Sequence, residues 1–299
     1  MVPHGALQED GLQTLRRQPI SCVRFSNGPG MDVPEHYEAP SHWHKQAEIV
    51  LILKGVYEAE INLKKYMVYE GDICIFNSGD LHRLSGVSET TSHAVMLFDP
   101  KILDFAYEDE WENSYIEPFI AQRMCFVNVL RADGVPQVVR ESLLKLFETA
   151  EQKQENWYMN CKLLLLLIFH QLVLAHFLVS RKETDADSRK VRRFKKLVSY
   201  IEGHYAEPIG LQQLSEVVSC NSQYLCRSFK TIAGMSPTQY IIDYRIEQAC
   251  RLLEDMSKPL AEISVECGFD NVSYFIRKFK EKKGCTPGQY RGNVQTSQS

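Results

Sequence analysis

Three histidines and one glutamate are the residues of this sequence whose types and spacing could do chemistry. His42 and His44 are two residues apart, Glu48 follows four residues later, and His82 lies further along the chain. Side chains at positions i and i+2 of a strand face the same side, so the first two imidazoles are predicted to point together. Three imidazoles and a carboxylate can hold Fe, Mn, Zn or Ni, and they can also hydrogen-bond a polar small molecule.

The segment that must position these residues is predicted to be β-structure. Short runs rich in β-branched and aromatic residues alternate with turns at Lys54-Gly55 and Gly71-Asp72 and with a loop at Asn77–Asp80. The candidate strands are Ser21–Phe25, Glu48–Leu53, Val56–Leu63, Tyr66–Tyr69, Ile73–Phe76 and Ala94–Phe98. Short strands at this spacing favour a small barrel or jelly roll over residues 19–100.

The spacing of these residues resembles the two sequence motifs of the cupin family. His42, His44, Glu48 and Gly55 follow the pattern H-x-H-x3-E-x6-G of the first motif. Gly71, Gly79 and His82 resemble the second motif, with Asn77 where that motif usually has proline. The resemblance implies a cupin-like barrel, and it makes a cupin metalloenzyme a competing hypothesis.

The second feature is a duplicated unit between Leu211 and Arg291. With a shift of fifty residues, identities fall at Asn221/Asn271, Tyr224/Tyr274, Arg227/Arg277, Phe229/Phe279, Lys230/Lys280, Gly234/Gly284, Pro237/Pro287 and Tyr240/Tyr290. A repeat at a fixed period indicates two copies of one supersecondary unit. Each copy is predicted to form a helix-turn-helix, at about residues 211–232 and 260–283, whose second helix enters the major groove of DNA.

Polar residues beside the apolar stripe of each second helix are the candidates for contact with DNA. They are Ser222, Gln223, Arg227 and Lys230 in the first copy, and Asn271, Ser273, Arg277 and Lys280 in the second. Arginine suits guanine edges and phosphates, and glutamine suits adenine. The alternative is an ordinary solvated basic face. The same arginine in the same register of both copies favours DNA.

A long helix is predicted between the two copies, from Thr238 to Met256, with no internal glycine or proline. About 20 residues at ~1.5 Å each give a rod of ~30 Å. Recognition helices on one face of B-DNA lie about one turn, ~34 Å, apart. The helix is therefore predicted to place both recognition helices in successive major grooves.

The C-terminal pattern resembles the AraC/XylS family of bacterial transcription regulators over about 100 residues. The matching residues are Gly268-Phe269, Ser273-Tyr274-Phe275, Arg277, Phe279-Lys280, Gly284, Pro287 and Tyr290-Arg291. Ser264 stands where the family usually has alanine. Val272 and Ile276 favour thymine-methyl contact or packing, so the second copy is expected to contribute less to base recognition.

This resemblance implies a DNA-binding regulator, expected to be an activator, with a cupin-like barrel that binds a small effector without a metal. His42, His44, Glu48 and His82 would hydrogen-bond the effector, for which a sugar is expected, and Trp43 would offer a stacking face. On a regular strand Trp43 points away from its histidine neighbours, which weakens its assignment. Metal ligation by the three histidines and Glu48, and purely structural histidines, stay open.

Two further functions stay open beside this one, and no cofactor is expected. One is a cupin metalloenzyme with an accessory DNA-binding module. The other is an effector-independent regulator whose barrel serves only assembly. Metal content and turnover would distinguish the first, and DNA affinity across metabolites would distinguish the second.

Residues 101–180 are predicted to be mainly helical. The most apolar part runs from Trp157 to Val179 and includes the uninterrupted run Leu163–Phe169. A membrane span needs about 20 apolar residues, and Lys162 and His170 interrupt that length, so no span is predicted. A helix that is apolar nearly all round is buried on more than one side. We expect one side to form a homodimer, the alternative being burial wholly within its own chain.

Length and charge divide the chain into an α+β protein of two domains. The 299 residues include 17 Lys and Arg against 11 Asp and Glu in residues 189–299, and 17 against 27 in residues 1–188. A basic domain joined to an acidic one is typical of a nucleic-acid-binding protein with a separate sensing domain. A polar linker is predicted at residues 181–190, the DNA-binding domain at residues 191–293, and a flexible N-terminus at residues 1–18.

The cysteines and the N-terminal residues indicate the cellular compartment in which the protein is expected. Nine cysteines occur without a C-x-x-C pair, which favours a reducing cytosol over a zinc ribbon or a disulfide framework. The first ten residues lack the charged and apolar parts of a signal peptide. The expected location is cytoplasmic, with promoter DNA and RNA polymerase as macromolecular partners.

Overall fold

The computed structural model describes residues 19–27, 37–107, 109–181, 186–255 and 257–298. The chain forms two compact units, one comprising Glu9–Ser188 and the other containing Arg189–Ser299. The flexible N-terminus expected at residues 1–18 lies outside the described residues. Each unit is described by itself.

Eleven strands occur in the described part of the N-terminal unit. They are β1 (Ile20–Asn27), β2 (Glu38–His42), β3 (Ala47–Lys54), β4 (Tyr57–Ile61), β5 (Lys64–Val68), β6 (Ile73–Phe76), β7 (His82–Gly86), β8 (Thr91–Phe98), β9 (Met124–Phe126), β10 (Val129–Leu130) and β11 (Leu178–Ser180). One sheet has the order β1-β8-β3-β6-β10, a second has the order β2-β7-β4-β5, and β9 pairs with β11. This β-rich region confirms the predicted fold class.

Strand β3 of the five-stranded sheet is buried on both faces. Val50 and Ile52 of β3 point toward the four-stranded sheet and pack with its apolar residues. Ile49 and Leu51 point the opposite way and join a second core with the helices that follow the sheets. A strand covered on both faces has no polar side, which explains the continuous apolar run in β3.

Three helices follow the β-rich region, in addition to a 3-10 helix (Pro100–Leu103) and a π-helix (Glu112–Ile116). They are α1 (Glu117–Ile120), α2 (Gln137–Gln152) and α3 (Trp157–Leu174). The last was predicted to continue to Val179, but His176 adopts a positive φ of 60° and the chain then enters β11. Three short strands, β9 to β11, were missed in the segment predicted to be helical, because their partners are distant in sequence.

By length and composition alone, α3 is the helix in the described residues that could cross a membrane. Apolar core helices of soluble proteins have the same length and composition, so this property is weak support for a span. Six of its residues, including Leu165 and Phe169, are buried within the N-terminal unit.

The C-terminal unit is helical throughout its described secondary structure. Its helices are α4 (Ala186–His204), α5 (Leu211–Val217), α6 (Ser222–Ala233), α7 (Pro237–Leu252), α8 (Leu260–Glu266), α9 (Val272–Lys283) and α10 (Pro287–Gln298). The first of these begins at Ala186, inside the segment predicted to be a linker, rather than at Val191. The helices α5 and α6 form one helix-turn-helix, and α8 and α9 form the other.

The helix between the two copies is shorter than predicted. It ends at Leu252, and Met256, to which the prediction extended, lies outside the described residues. The carboxylate of Asp255 accepts hydrogen bonds from the backbone N–H and the hydroxyl of Ser257, at 2.9 and 2.7 Å. Such side-chain bonds compete with helical ones and end the helix. Sixteen residues give a rod of ~24 Å instead of ~30 Å.

Candidate functional site

The three histidines and the glutamate converge inside the β-rich region. Their potential ligand atoms all lie within 4.8 Å of one another. Glu48 comes from the inward side of β3, and His42 of β2 is the cross-strand partner of His82 of β7. His44 lies just beyond the end of β2 rather than on the strand. Its Nε2 is 3.1 Å from Oε2 of the glutamate, and Nε2 of His82 is 3.5 Å from the same oxygen.

Backbone carbonyls fix the tautomers of two of these imidazoles. Nδ1 of His44 is 3.0 Å from the carbonyl oxygen of Gln46, and Nδ1 of His82 is 2.9 Å from that of Asp80. A carbonyl only accepts, so each Nδ1 carries the proton and donates. In the neutral rings, both Nε2 atoms are then acceptors facing the carboxylate of Glu48. The structure gives His82 Nε2 no hydrogen bond within the described residues.

A group of acceptors that face one another needs a donor or a cation between them. Hydroxyl groups of a polar ligand, a divalent metal ion or protons on the imidazoles would each supply it. Burial raises the pKa of Glu48, and in the alternative case of protons on the imidazoles, hydrogen bonds and positive charge from His44 and His82 outweigh burial and hold that pKa well below its usual range. The two neutral Nε2 atoms and the carboxylate therefore suit a metal ion as well as a polyol. The same atoms disfavour an anionic ligand.

Aromatic packing restricts the orientation of one imidazole of the cluster. The ring of Phe76 stacks on His82, with centroids 4.2 Å apart and planes 11° apart. Trp43, the predicted stacking face, is also buried, at 7% exposure. Phe76 therefore lies beside the cluster, and it was not among the predicted site residues because its strand showed only an apolar run.

A further buried imidazole, outside the cluster, was not predicted from the sequence. His93 of β8 is fully buried, its Nδ1 lies 2.9 Å from the Tyr57 hydroxyl, and Phe25 and Tyr37 pack on its ring. Burial lowers the pKa of His93 to about 4. Its Nε2 has no hydrogen bond within the described residues. The sequence offered no spacing signal, because this histidine stands alone in an apolar strand.

The second helices of the two helix-turn-helix units expose the same positions. Residues 221–230 and 271–280 have identical burial patterns, with Leu225 and Phe229 buried in one copy and Phe275 and Phe279 in the other. The exposed predicted residues are Gln223, Arg227 and Lys230 on α6, and Asn271, Ser273, Arg277 and Lys280 at α9. Ser222 is half-buried. Both arginines thus lie on solvent-facing sides of their helices.

Two of the predicted DNA-binding residues have structural contacts of their own. The side-chain oxygen of Asn271 caps α9 by accepting from the backbone N–H of Tyr274 at 2.9 Å. The hydroxyl of Ser222 lies 2.8 Å from that of Ser215 on α5, inside the turn. These contacts assign both side chains a part in the fold.

Acidic side chains differ between the two recognition helices. On α9, Nε of Arg277 is 3.9 Å from Glu281, and its guanidinium carbon lies 5.3 Å from the centroid of Tyr274. The Lys278 ammonium is 2.6 Å from the same glutamate and lowers its pKa, which keeps that carboxylate charged. On α6 the matching position is Thr231, which is neutral. The charge at the end of α9 is therefore partly neutralised.

The structure shows the surroundings of Ser264, which stands where alanine is usual. It is fully buried on α8, and its hydroxyl has no hydrogen bond within the described residues. Its counterpart is Ser215, because each serine is the fifth residue of its helix. Ser215 donates to the carbonyl of Leu211 at 2.8 Å and contacts Ser222. The residue matching this last serine in the second copy is Val272, which has no hydroxyl. Ser264 is thus left with an unsatisfied polar group.

We expect Ser264→Ala to stabilise the C-terminal unit by ~1 kcal/mol, because it removes an unsatisfied buried hydroxyl without a change of shape. Ser215→Ala is the matched control and should destabilise by a similar amount, because its hydroxyl has partners. Urea unfolding followed by circular dichroism measures both. Equal destabilisation by the two substitutions would contradict this account.

Comparison with known families matches both units. A helix-turn-helix domain model matches residues 214–293, and a cupin domain model matches residues 31–98. The chain is 28% identical over 275 residues to the uncharacterized HTH-type transcriptional regulator YdeC of Bacillus subtilis (strain 168), with 91% of each chain covered. It is 24% identical over 279 residues to the HTH-type transcriptional activator RhaR of Enterobacter sp. (strain 638), covering 89% of this chain and 93% of the relative.

Solved structures show weaker similarity. ToxT from Vibrio cholerae has a TM-score of 0.41 at 14% identity, covering 92% of this chain and 98% of that chain. The DNA-binding domain of AdpA, in complex with a target DNA, has a TM-score of 0.34 at 25% identity, covering 35% of this chain and 95% of that domain. Both TM-scores are below 0.5, so the assignment does not depend on them.

A helix-turn-helix domain after a cupin domain, in a chain similar to transcription regulators over most of its length, defines a class of DNA-binding regulators. The chain carries a helix-turn-helix domain and a cupin domain, and over most of its length it is similar to HTH-type transcription regulators. These matches agree with the resemblance that the sequence motifs showed in both parts of the chain.

Proposed function

We propose that this regulator controls promoter occupancy in response to a small polar molecule bound by His42, His44, Glu48 and His82. The observation that carries the proposal is the convergence of these side chains within 4.8 Å, with two Nε2 atoms and a carboxylate as acceptors. A ligand rich in hydroxyl groups, such as a sugar, donates to such acceptors. We assign no catalytic reaction to this cluster.

A metal ion is the second candidate occupant, and the locked Nδ1 atoms favour it. Imidazoles that donate Nδ1–H to a carbonyl present Nε2 in the orientation that metal ligands need. The three imidazoles and Glu48 would hold the ion, which would supply a positive charge to a bound ligand. A cupin metalloenzyme with a DNA-binding module is the corresponding alternative function.

Calorimetry with a panel of sugars and with Zn²⁺, Ni²⁺ and Mn²⁺ tests the proposal. We expect wild-type protein to bind a sugar, and Glu48→Gln to weaken that binding by about tenfold or more, because a charged acceptor is lost. Glu60→Gln is the matched control. This glutamate lies on β4 of the same barrel but pairs with Arg83 at 2.9 Å, away from the cluster.

Three results would change the proposal. Stoichiometric metal in the purified protein would show that the cluster is a metal site and not a metal-free effector site. Equal binding of a sugar by wild type and Glu48→Gln would remove the cluster from the effector site. Unaltered DNA affinity across a metabolite panel would favour an effector-independent regulator.

We propose that Gln223, Arg227, Lys230, Ser273, Arg277 and Lys280 contact promoter DNA. The support is their exposure on the two recognition helices in the same register. Asn271 and Ser222 have structural contacts, so we place them at the edge of this surface. Genome-wide footprinting with the purified protein would identify the operator, and the neighbouring genes would narrow the choice of effector.

We also propose that the protein acts as a homodimer through α3. Met159, Leu163, Leu167 and Leu174 share one face of this helix, and their exposure ranges from 38% to 58%. An exposed apolar stripe of this length is a typical protein interaction site. The helix supplies the same stripe to both subunits of a two-fold dimer.

Leu163→Glu should raise the dimer dissociation constant by roughly tenfold or more, because it would bury an unpaired charge at the interface. Val87→Glu is the matched control, since Val87 is 54% exposed and Leu163 is 58% exposed, but Val87 is not on α3. Sedimentation equilibrium of the full chain measures both. A wild-type protein that stays monomeric at micromolar concentration would remove the dimer proposal.

The remaining assignments follow from the family and are proposals for this chain. RhaR is named a transcriptional activator, and we propose that this chain also activates transcription through contact with RNA polymerase. We propose a cytoplasmic location, where promoter DNA is present. A promoter fusion assayed with and without the gene would show a fall in transcription on deletion, and a rise would indicate a repressor.

A further inference from the structure

The loop that presents His82 also holds the end of the barrel domain through a buried ion pair. Nη2 of Arg181 lies 2.5 Å from Oδ1 of Asp80, with the arginine side chain 16% exposed and the aspartate 3% exposed. Arg181 also donates to the carbonyl of Ser78, at 3.2 Å. It follows β11 directly and comes five residues before the start of α4.

The carboxylate of Asp80 is surrounded by donors from the barrel. Asn62 Nδ2, Asn77 N and Asn128 Nδ2 donate to it at 2.9, 2.9 and 3.0 Å. The positive charge beside it comes from Arg181, the residue at which the chain leaves the barrel. A buried carboxylate with fixed neutral donors depends strongly on its cation.

The same loop is bonded directly to the predicted effector site. The carbonyl oxygen of Asp80 accepts from Nδ1 of His82 at 2.9 Å, and the N–H of Gly79 donates to the carbonyl of His44 at 2.8 Å. One aspartate thus touches a site imidazole through its backbone and Arg181 through its side chain. A movement of the imidazole would therefore act, through the backbone of Asp80, on the carboxylate that holds Arg181.

We propose that Arg181 is a positioning residue that couples the state of His82 to the segment leading out of the barrel, where β11 ends. The coupling runs from Nδ1 of His82 through Asp80 to the guanidinium of Arg181. The backbone N–H of Arg181 donates to the carbonyl of Arg123 at 2.9 Å, so the ion pair also holds the end of the β11–β9 pairing. The inference rests on the proposed effector site, since it gives that site a route to the chain that follows.

A double-mutant cycle in the full chain tests the coupling without any ligand or DNA. Hydrogen exchange of a peptide covering residues 178–190 is measured in wild type, His82→Phe, Arg181→Gln and the double mutant. We expect each single change to speed exchange of the amides in residues 179–181 by about tenfold. We expect the double mutant to exchange no faster than Arg181→Gln, because the route is already broken.

Arg131→Gln is the matched control for loss of an arginine. Its Nη1 lies 2.6 Å from Asp72, another buried aspartate of the barrel, but it does not border β11. We expect this variant to leave the peptide at residues 178–190 at its wild-type rate. Should His82→Phe speed exchange in β3 as well, His82→Asn replaces it in the cycle.

Two outcomes would overturn the proposal. One is a wild-type exchange rate in the His82 variants. The other is additive effects of the His82 and Arg181 changes, which would show independent structural roles. If the cycle is non-additive but no metabolite changes DNA affinity, the coupling stands and the proposed effector function fails.

Discussion

Arg227→Ala is expected to weaken binding to the operator by about 5- to 150-fold, which corresponds to ~1–3 kcal/mol for an arginine that contacts a base edge. Arg277→Ala should have a smaller effect, because its guanidinium packs on Tyr274 and lies 3.9 Å from Glu281. Fluorescence anisotropy with the footprinted operator at one fixed salt concentration measures both. The comparison tests whether the first copy dominates recognition.

Two further variants separate base contact from general attraction. Lys280→Ala should weaken binding to all sequences alike and reduce the salt slope by ~1, as expected for a phosphate contact. Arg251→Ala is the control for loss of an exposed arginine, because it lies on α7 rather than on a recognition helix. If both Arg227 and Arg277 variants keep wild-type affinity and sequence preference, the assigned recognition surface is wrong.

Gly268→Ala is expected to destabilise the C-terminal unit by about 3 kcal/mol or more. Gly268 adopts φ of +78° in the turn between α8 and α9, where L side chains are strained. A Cβ there would lie 2.7 Å from the carbonyl oxygen of Tyr205 and 2.9 Å from that of Ala206. Both atoms are backbone, so the conflict requires movement of the chain.

Gly284→Ala is the matched control, since Gly284 has φ of +76° but no atom within 4 Å of the added Cβ. Gly284→Ala should lower the free energy of unfolding of the C-terminal unit by only ~1 kcal/mol, because backbone strain is its only cost. All three tryptophans lie in the N-terminal unit, so their fluorescence in urea should be unaffected by either change. Circular dichroism reports the helical unit. Equal effects of the two substitutions would show that the close approach to Tyr205 is unimportant.

Periodicity predicted the architecture where the pattern was local. The apolar run of β3 and the repeated motif of the two helix-turn-helix units were both visible in the sequence. The strand β2 was missed because Pro40 interrupts it, which is tolerated at the edge of a sheet. The pairing of β9 with β11 was missed because Phe126 and Leu178 are distant in sequence. Distant partners leave no periodic signal.

The spacing of the cupin motifs predicted that the three histidines and Glu48 would converge, but not how they are oriented. The carbonyls of Gln46 and Asp80 fix the tautomers, and backbone groups carry no sequence signature. The ion pair of Asp80 with Arg181 joins residues separated by 101 positions, and Arg181 was assigned to a polar linker. Contacts of this kind follow only from the folded arrangement.

The burial of β3 on both faces has a mechanical consequence. Glu48 projects from one face into the ligand cluster, while Ile49 beside it packs with the core that includes Phe169 of α3. Only the thickness of one strand separates the cluster from that helical layer. Because close-packed interiors are nearly incompressible, we expect a displacement of Glu48 to move Ile49 and the helical core behind it. In the proposed regulator, ligand binding at Glu48 and subunit association through α3 would then act on the same strand.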